Sequence, residues 1–168
     1  MIVVSDTSPI INLAVIGHIQ LLQKLFQKIL IPQSVYREVA IVGSGLPGSK
    51  EVDTLSWIEC VEVNNWPLVK MLRKELDEGE AEAITLAVDN NADFVLLDER
   101  IGREVASRLG IQFVGVLGII IHAKQNGHLD KVKPLIDELI IKAGFWISPS
   151  LYNYVLIKAG EEDSMNKN

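Results

Sequence analysis

The spacing of apolar residues changes repeatedly along the chain, and this alternation constrains the fold more than any other feature. Short runs typical of buried or half-buried strands alternate with stretches of helical periodicity. The strand-like runs are IVV (2–4), KILIP (28–32), WIECVEV (57–63), DFVLLD (93–98) and IQFVGV (111–116). Strands that alternate with helices are typical of α/β domains, so we predict a mainly parallel sheet with helices on both faces.

Helical patterns fill most of the chain between these runs. They cover 9–26 with a break at Gly17, 33–42, about 67–76, 78–90, 99–110, 117–126, 128–142 and 149–159. A chain of 168 residues has room for one domain, to which we assign residues 1–160. The helix over 149–159 is expected to pack on this domain or to form an interface. The polar tail, residues 161–168, is predicted to be disordered.

Composition and charge exclude several classes of function. The net charge of −6 argues against broad, non-specific binding of nucleic acids, although acids gathered around a metal ion are compatible with it. Cys60 is the only cysteine, so no intramolecular disulfide can form. The three histidines lack zinc-like spacing, and GSGLPG lacks the Lys-Ser/Thr ending of a phosphate-binding loop.

Without a signal peptide or an apolar stretch of about 20 residues, we expect a cytoplasmic protein with no membrane contact.

Two acids stand directly after strand-like runs, where α/β proteins place their ligand sites. Asp6 follows IVV, and Asp98 follows FVLL. Either acid could instead cap the next helix. Pro9 is favoured at a first helical position, which makes Ser8 the natural cap and leaves Asp6 free. For Asp98 both interpretations stay open.

Glu38 lies on a predicted helix whose apolar stripe contains Val35, Val39 and Val42. At about 100° per residue, Glu38 falls roughly 60° from Val35 and 40° from Val42, at the border of the buried face. A carboxylate at a buried edge is costly unless it is paired or bound to a cation. Glu38 is therefore a candidate site residue.

Glu80 and Glu82 separate in the same way on the helix over 78–90. Glu80 falls about 40° from Ile84 on the inner face, whereas Glu82 falls about 160° away and is predicted to point outward. An alternative stays open for Glu80, because Asp77 and Glu80 have the spacing of a capping box.

Taken together, the two acids after strands and the two acids on inner helix edges could converge on one crevice. Four carboxylates cannot all remain ionised there without a compensating charge. Oxygen ligands of this kind suit a hard cation such as Mg²⁺ or Mn²⁺.

Four segments carry a resemblance to a known family: VSDTSPIINLA, ILIPQSVYREV, LDEGEAEAITLA and ADFVLLDERIGR. In this order they resemble the PIN-domain nucleases, and in particular a bacterial and archaeal branch described only as a domain of unknown function. The resemblance covers roughly residues 1–142, and GFWISPSLYNYVLIKAGE is also similar to that branch. It implies a PIN-like three-layer α/β/α sandwich with a mainly parallel central sheet.

The resemblance also implies a set of site residues. The catalytic, metal-binding acids are Asp6, Glu38, Glu80 and Asp98. Among them, Asp6 and Asp98 are the first choices as direct ligands. Thr7 and Ser8 fall where the family often has a hydroxyl near the metal. The chain departs from many members in having Glu80 where Asp is frequent, and leucine rather than Thr or Ser ahead of Asp98.

The activity implied by the resemblance is that of a Mg²⁺- or Mn²⁺-dependent endoribonuclease, a hydrolase of RNA phosphodiester bonds. Similar small proteins are toxins of type II toxin–antitoxin pairs, so we expect a small antitoxin partner and a homodimer. Arg100 and Arg103 are candidate contacts to RNA phosphates, or else part of a solvated helix face paired with Glu99 and Glu104. The competing hypothesis is a non-catalytic PIN-fold module that binds a protein.

Overall fold

A computed structural model describes residues 1–161, and its strand-like runs pair into one sheet. The strands are β1 (Val3–Ser5), β2 (Ile29–Pro32), β3 (Ile58–Val61), β4 (Phe94–Leu96) and β5 (Phe113–Val114). Their order is β3-β2-β1-β4-β5, and every neighbouring pair is parallel. The sheet confirms the predicted α/β architecture.

Helices occupy most of the remaining chain. They are α1 (Thr7–Val15), α2 (Gln20–Phe26), α3 (Gln33–Tyr36), α4 (Ser49–Thr54), α5 (Trp66–Leu72), α6 (Glu78–Asp89), α7 (Arg100–Arg108), α8 (Val116–Gln125), α9 (Lys133–Ala143) and α10 (Pro149–Lys158). A π-helical segment, Arg37–Val42, continues α3. The break predicted at Gly17 is confirmed, and its φ of 69° is a conformation that glycine adopts without strain. The helix α4 was not predicted.

Each face of the sheet carries its own hydrophobic core, because strand side chains alternate between the two faces. Val3, Ile29 and Ile31 belong to one core, which also takes buried residues of α1, α2, α8, α9 and α10. Val4 and Val95 belong to the other, together with α5, α6 and α7. The protein is therefore a three-layer α/β/α sandwich, as predicted.

The helix α6 is buried around most of its circumference, which corrects one prediction. It packs against β1, β2, β4, α3, α5 and α7. Glu82 was predicted to point outward, but it is only 2% exposed, and its Oε2 accepts a hydrogen bond of 3.1 Å from the Ser34 backbone N–H. The prediction for Glu82 was wrong because it took only one face of this helix to be buried.

All strands run in the same direction, but the side of the sheet to which the chain adds strands changes between β1 and β4. From β1 the chain proceeds to β2 and β3 on one side, whereas β4 and β5 lie on the other side. The backbone N–H of Asp6 donates to the Leu96 carbonyl at 3.1 Å and closes the carboxyl end of this pair. Ligand sites of open α/β sheets lie at such switch points.

The C-terminal helix α10 packs on α8 and places Val155 and Leu156 in the core. Glu161, the first residue of the tail predicted to be disordered, accepts hydrogen bonds from the Val132 backbone N–H (2.7 Å) and from Lys124 Nζ (2.8 Å). The rest of that predicted tail, residues 162–168, lies outside the described residues. Within residues 1–161, none of the helices combines the length and the apolar character that a membrane crossing requires.

Candidate active site

A crevice of about 390 Å³ opens at the carboxyl end of β1, beside the switch point. Its lining, taken over residues 1–161, contains six carboxyl groups and one guanidinium group. The lining residues are Asp6, Thr7, Ser8, Glu38, Glu75, Asp77, Glu80, Glu99, Arg100 and Ile101. Three of the four predicted acids therefore meet here, together with Thr7 and Ser8.

Asp6 is the most buried residue of this crevice and is 4% exposed. It occupies the N-cap position of α1, which begins at Thr7, so the prediction that Ser8 caps the helix is wrong. Even so, within the part of the chain that the structure describes, the Asp6 carboxylate does not bond to the second or third backbone N–H of α1, as a capping side chain would. Burial raises the pKa of Asp6 to about 8, opposed in part by a hydrogen bond from the Thr7 backbone; the nearby acids raise it further. Asp6 is thus held where its charge is poorly compensated.

Glu38 reaches the crevice from the π-helical segment Arg37–Val42. Its Oε2 accepts a hydrogen bond of 2.8 Å from Thr7 Oγ1, which links this segment to the start of α1. Gly79 on α6 faces both acids: a Cβ there would lie 2.9 Å from Asp6 Oδ1 and 3.5 Å from Glu38 Oε2. The absence of a side chain at Gly79 lets these two carboxylates approach α6.

Glu80 combines the two roles that the sequence left open. It forms a capping box with Asp77, since Glu80 N–H donates to Asp77 Oδ1 (2.8 Å) and Glu80 Oε2 accepts from Asp77 N–H (3.4 Å). The other oxygen, Oε1, is buried and has no hydrogen-bond partner among the described residues. Burial, followed by the charge of Asp77, raises the pKa of Glu80. A Cβ at Gly102 of α7 would lie only 2.7 Å from Oε1, so α7 also approaches this carboxylate closely.

Asp98 does not line this crevice. Its Oδ1 accepts a hydrogen bond of 2.8 Å from the Val116 backbone N–H, and its Oδ2 accepts one of 3.3 Å from Asn12 Nδ2. Arg103 Nη2 lies 3.9 Å from Oδ1. Burial raises the pKa of Asp98, although these three partners oppose the effect. Asp98 therefore caps α8, a helix 18 residues further along, and Glu99 faces the crevice in its place.

Arg100 and Arg103, the two candidate phosphate contacts, have different surroundings. Arg100 lines the crevice and forms an exposed ion pair of 2.5 Å with Glu104, as the alternative interpretation predicted. Arg103 donates to the backbone carbonyls of Leu97 (3.1 Å) and Asp98 (2.6 Å). Arg103 thus fixes the turn between β4 and α7 rather than the crevice wall.

Several lining residues were missed from the sequence. Glu75, Asp77 and Glu99 add carboxylates to the crevice, while Gly79 and Gly102 clear space beside the buried acids. Asp77 could have been found through its capping-box spacing with Glu80. For the two glycines, no local pattern in the sequence signals the close approach.

The donor set fits a hard divalent cation. Every ligand candidate is an oxygen, the carboxylates greatly outnumber the cations, and Glu80 Oε1 lacks a partner. No group of three or more His, Cys, Asp or Glu residues within 1–161 is already arranged to hold a metal ion. A bound cation would therefore draw these side chains inward or use bridging waters.

A comparison with protein families identifies the family of this chain. The sequence pattern of a protein family described as a PIN domain matches residues 2–161. Among curated proteins, none matches the chain.

Proposed function

The chain belongs to the PIN-domain family, and from that premise we propose that it is a metal-dependent endoribonuclease that hydrolyses RNA phosphodiester bonds. PIN domains are generally nucleases, and they generally use divalent metal ions. The observation that carries the proposal is the uncompensated carboxylate cluster at the switch point, with Asp6 deeply buried and Glu80 Oε1 unpartnered in residues 1–161. Such a cluster is stabilised when a cation binds.

Asp6, Glu38 and Glu80 would hold Mg²⁺ or Mn²⁺, directly or through waters. When bound, the ion lowers the pKa of a water and offsets charge on the phosphate oxygens. Glu38, fixed by Thr7 through Oε2, would orient the attacking water and take up its proton. Asp98, expected from the resemblance to be a direct ligand, accepts a hydrogen bond from the Val116 N–H through Oδ1, and its role as a ligand stays a prediction.

We also propose that the protein is the toxin of a type II toxin–antitoxin pair, acts in the cytoplasm and forms a homodimer silenced by a small antitoxin. The resemblance of its segments to that group of PIN proteins supports this assignment. Exposed apolar residues near the C-terminal helix support a contact with a second copy. They are Ile141, Trp146, Leu151, Tyr154 and Ile157.

Cleavage of RNA tests the nuclease proposal. We expect the wild type to cleave single-stranded RNA with Mn²⁺ and not with EDTA. Asp6→Asn should lower the rate by about 100-fold or more, because it removes a charged oxygen from the cation site. Asp130→Asn, at an exposed position outside the crevice, is the matched control and should cleave like the wild type.

Two outcomes would contradict the proposal. One is a pure wild-type protein that cleaves no RNA with any divalent cation, which would favour the protein-binding module. The other is equal cleavage by Asp6→Asn and the wild type, which would point to a contaminating nuclease.

A further inference from the structure

A second groove, of about 580 Å³, lies beside the acidic crevice and runs along α7 to the edge strand β5. The two depressions share Glu75 and Arg100, so a chain-like ligand could occupy both without leaving the surface. The far end of the groove is formed by Arg108 and Phe113. We refer to it as the α7 groove.

The charge changes between the two depressions. The described lining of the α7 groove contains three guanidinium groups and two carboxylates, whereas that of the crevice contains one guanidinium group and six carboxylates. Each of the three arginines has a carboxylate within 4 Å, so the groove is close to neutral beside a strongly acidic crevice. An anion is therefore repelled much less by the groove than by the crevice, and it can be attracted to an arginine whose carboxylate partner it replaces.

The arginines of α7 are spaced for a repeating anion. Arg100 and Arg108 are eight residues apart and lie on one face, which separates them by about 12 Å along the helix axis. That distance corresponds to roughly three nucleotides of a stacked strand, at about 3.4 Å each. Arg103, between them, is held by two backbone carbonyls and shapes the floor of the groove.

Both outer arginines can exchange their present partners. Arg100 pairs with Glu104 at 2.5 Å, and Arg108 pairs with Glu75 at 2.7 Å. Their side chains are 80% and 60% exposed. Ion pairs at such exposure contribute little to stability, so a phosphate could replace the carboxylate at small cost.

Phe113 supplies an exposed aromatic ring next to these arginines. It begins the edge strand β5 and is 39% exposed. Aromatic rings beside a basic groove are the combination that binds single-stranded nucleic acid, because every base can stack on the ring. An acidic peptide would use the guanidinium groups but would have no comparable use for the ring.

We propose that the α7 groove binds the single strand of RNA that flanks the scissile bond, with Arg100 and Arg108 on its phosphates and Phe113 stacked on a base. That the strand continues into the crevice rests on the proposed nuclease function. The binding itself does not, because it can be measured without cleavage.

Fluorescence anisotropy with a short fluorescein-labelled RNA, in EDTA so that no cleavage occurs, tests this binding. Arg108→Ala should raise the dissociation constant roughly tenfold. It should also reduce the slope of log affinity against log salt by about 0.7. Lys28→Ala is the matched control, since Lys28 is similarly exposed and ion-paired but lies at the amino end of β2. It should bind like the wild type.

The aromatic ring is tested separately. Phe113→Leu should weaken binding by roughly 5- to 100-fold, since it keeps apolar bulk and loses the stacking face. Phe113→Tyr should restore binding. Trp66→Leu, at an exposed aromatic residue of α5 that lines neither depression, serves as the control. Thermal melts monitored by circular dichroism check that each variant is folded.

The outcomes distinguish failure of the groove from failure of the nuclease proposal. If folded Arg108→Ala and Phe113→Leu both bind RNA like the wild type, the groove assignment is overturned, whether or not the wild type cleaves. It is also overturned if an oligoglutamate peptide binds at the groove and RNA does not. Groove-dependent binding without Mn²⁺-dependent cleavage would support the groove and refute the nuclease.

Discussion

Replacing Asp6 by Asn should stabilise the protein in the absence of divalent cations. Asp6 is 4% exposed and lies among other acids, so its ionised form is disfavoured in the folded state. In the unfolded chain the same carboxyl group is solvated and has an ordinary pKa. The Asn side chain has nearly the same shape and carries no charge, and it can still accept a hydrogen bond from Thr7 N–H. The substitution that strongly lowers the proposed activity should therefore stabilise the fold.

The size and sign of the effect follow from the pKa of Asp6. Folding raises that pKa from 3.8 to about 8. The unfolded chain therefore loses its proton first, and the wild type loses stability as the pH rises from about 4 to about 8. At about 1.36 kcal/mol per pH unit, the loss at pH 7 reaches about 4 kcal/mol as an upper limit. For a chain of this size, that corresponds to a difference in Tm of roughly 8–16 °C.

Thermal unfolding in EDTA, followed by circular dichroism from about pH 5 to pH 8, measures this difference. The Tm of Asp6→Asn should exceed that of the wild type by an amount that grows with pH. Mn²⁺ should raise the Tm of the wild type and have little effect on the variant. Asp130→Asn should follow the wild type. A variant that melts at or below the wild-type temperature at every pH would refute the argument from burial.

Two further substitutions test the surroundings of the acids. Gly102→Ala places a methyl group 2.7 Å from Glu80 Oε1 and should destabilise the fold by about 1–3 kcal/mol in urea unfolding. It should also weaken Mn²⁺ binding in isothermal titration calorimetry. Unchanged stability and unchanged Mn²⁺ binding would show that the structure accommodates the methyl group without cost. Asp98→Ala removes the cap of α8 and should cost about 1–3 kcal/mol in the same urea assay, in contrast to the gain expected at Asp6. Wild-type stability of Asp98→Ala would show that its hydrogen bonds contribute nothing.

Local patterns in the sequence were sufficient to find three of the crevice acids. Asp6 follows a buried run, and Glu38 and Glu80 lie on inner helix edges, so strand ends and helical periodicity place them correctly. The alternation of strands and helices likewise predicted the parallel sheet. These features depend on residues that are near one another in the chain.

The features that were missed depend on distant parts of the chain. Asp98 caps a helix that begins 18 residues later, and Glu82 bonds to the start of a helix 48 residues earlier. In both cases the partner is a backbone N–H, which every residue except proline carries and which no sequence pattern identifies. The predicted outward direction of Glu82 was also wrong because α6 is surrounded by other helices and strands. Tertiary packing therefore determines the direction in which each of these acids points.

Gly79 and Gly102 should both be sensitive to substitution in mutational data on this protein. Neither residue carries a functional group, yet a side chain at either position would press on an acid of the crevice, Asp6 or Glu80. In a deep mutational scan scored by activity, both glycines should therefore rank beside the carboxylates in intolerance to substitution. A map of sensitive positions would then outline the empty space around the acids as well as the acids themselves.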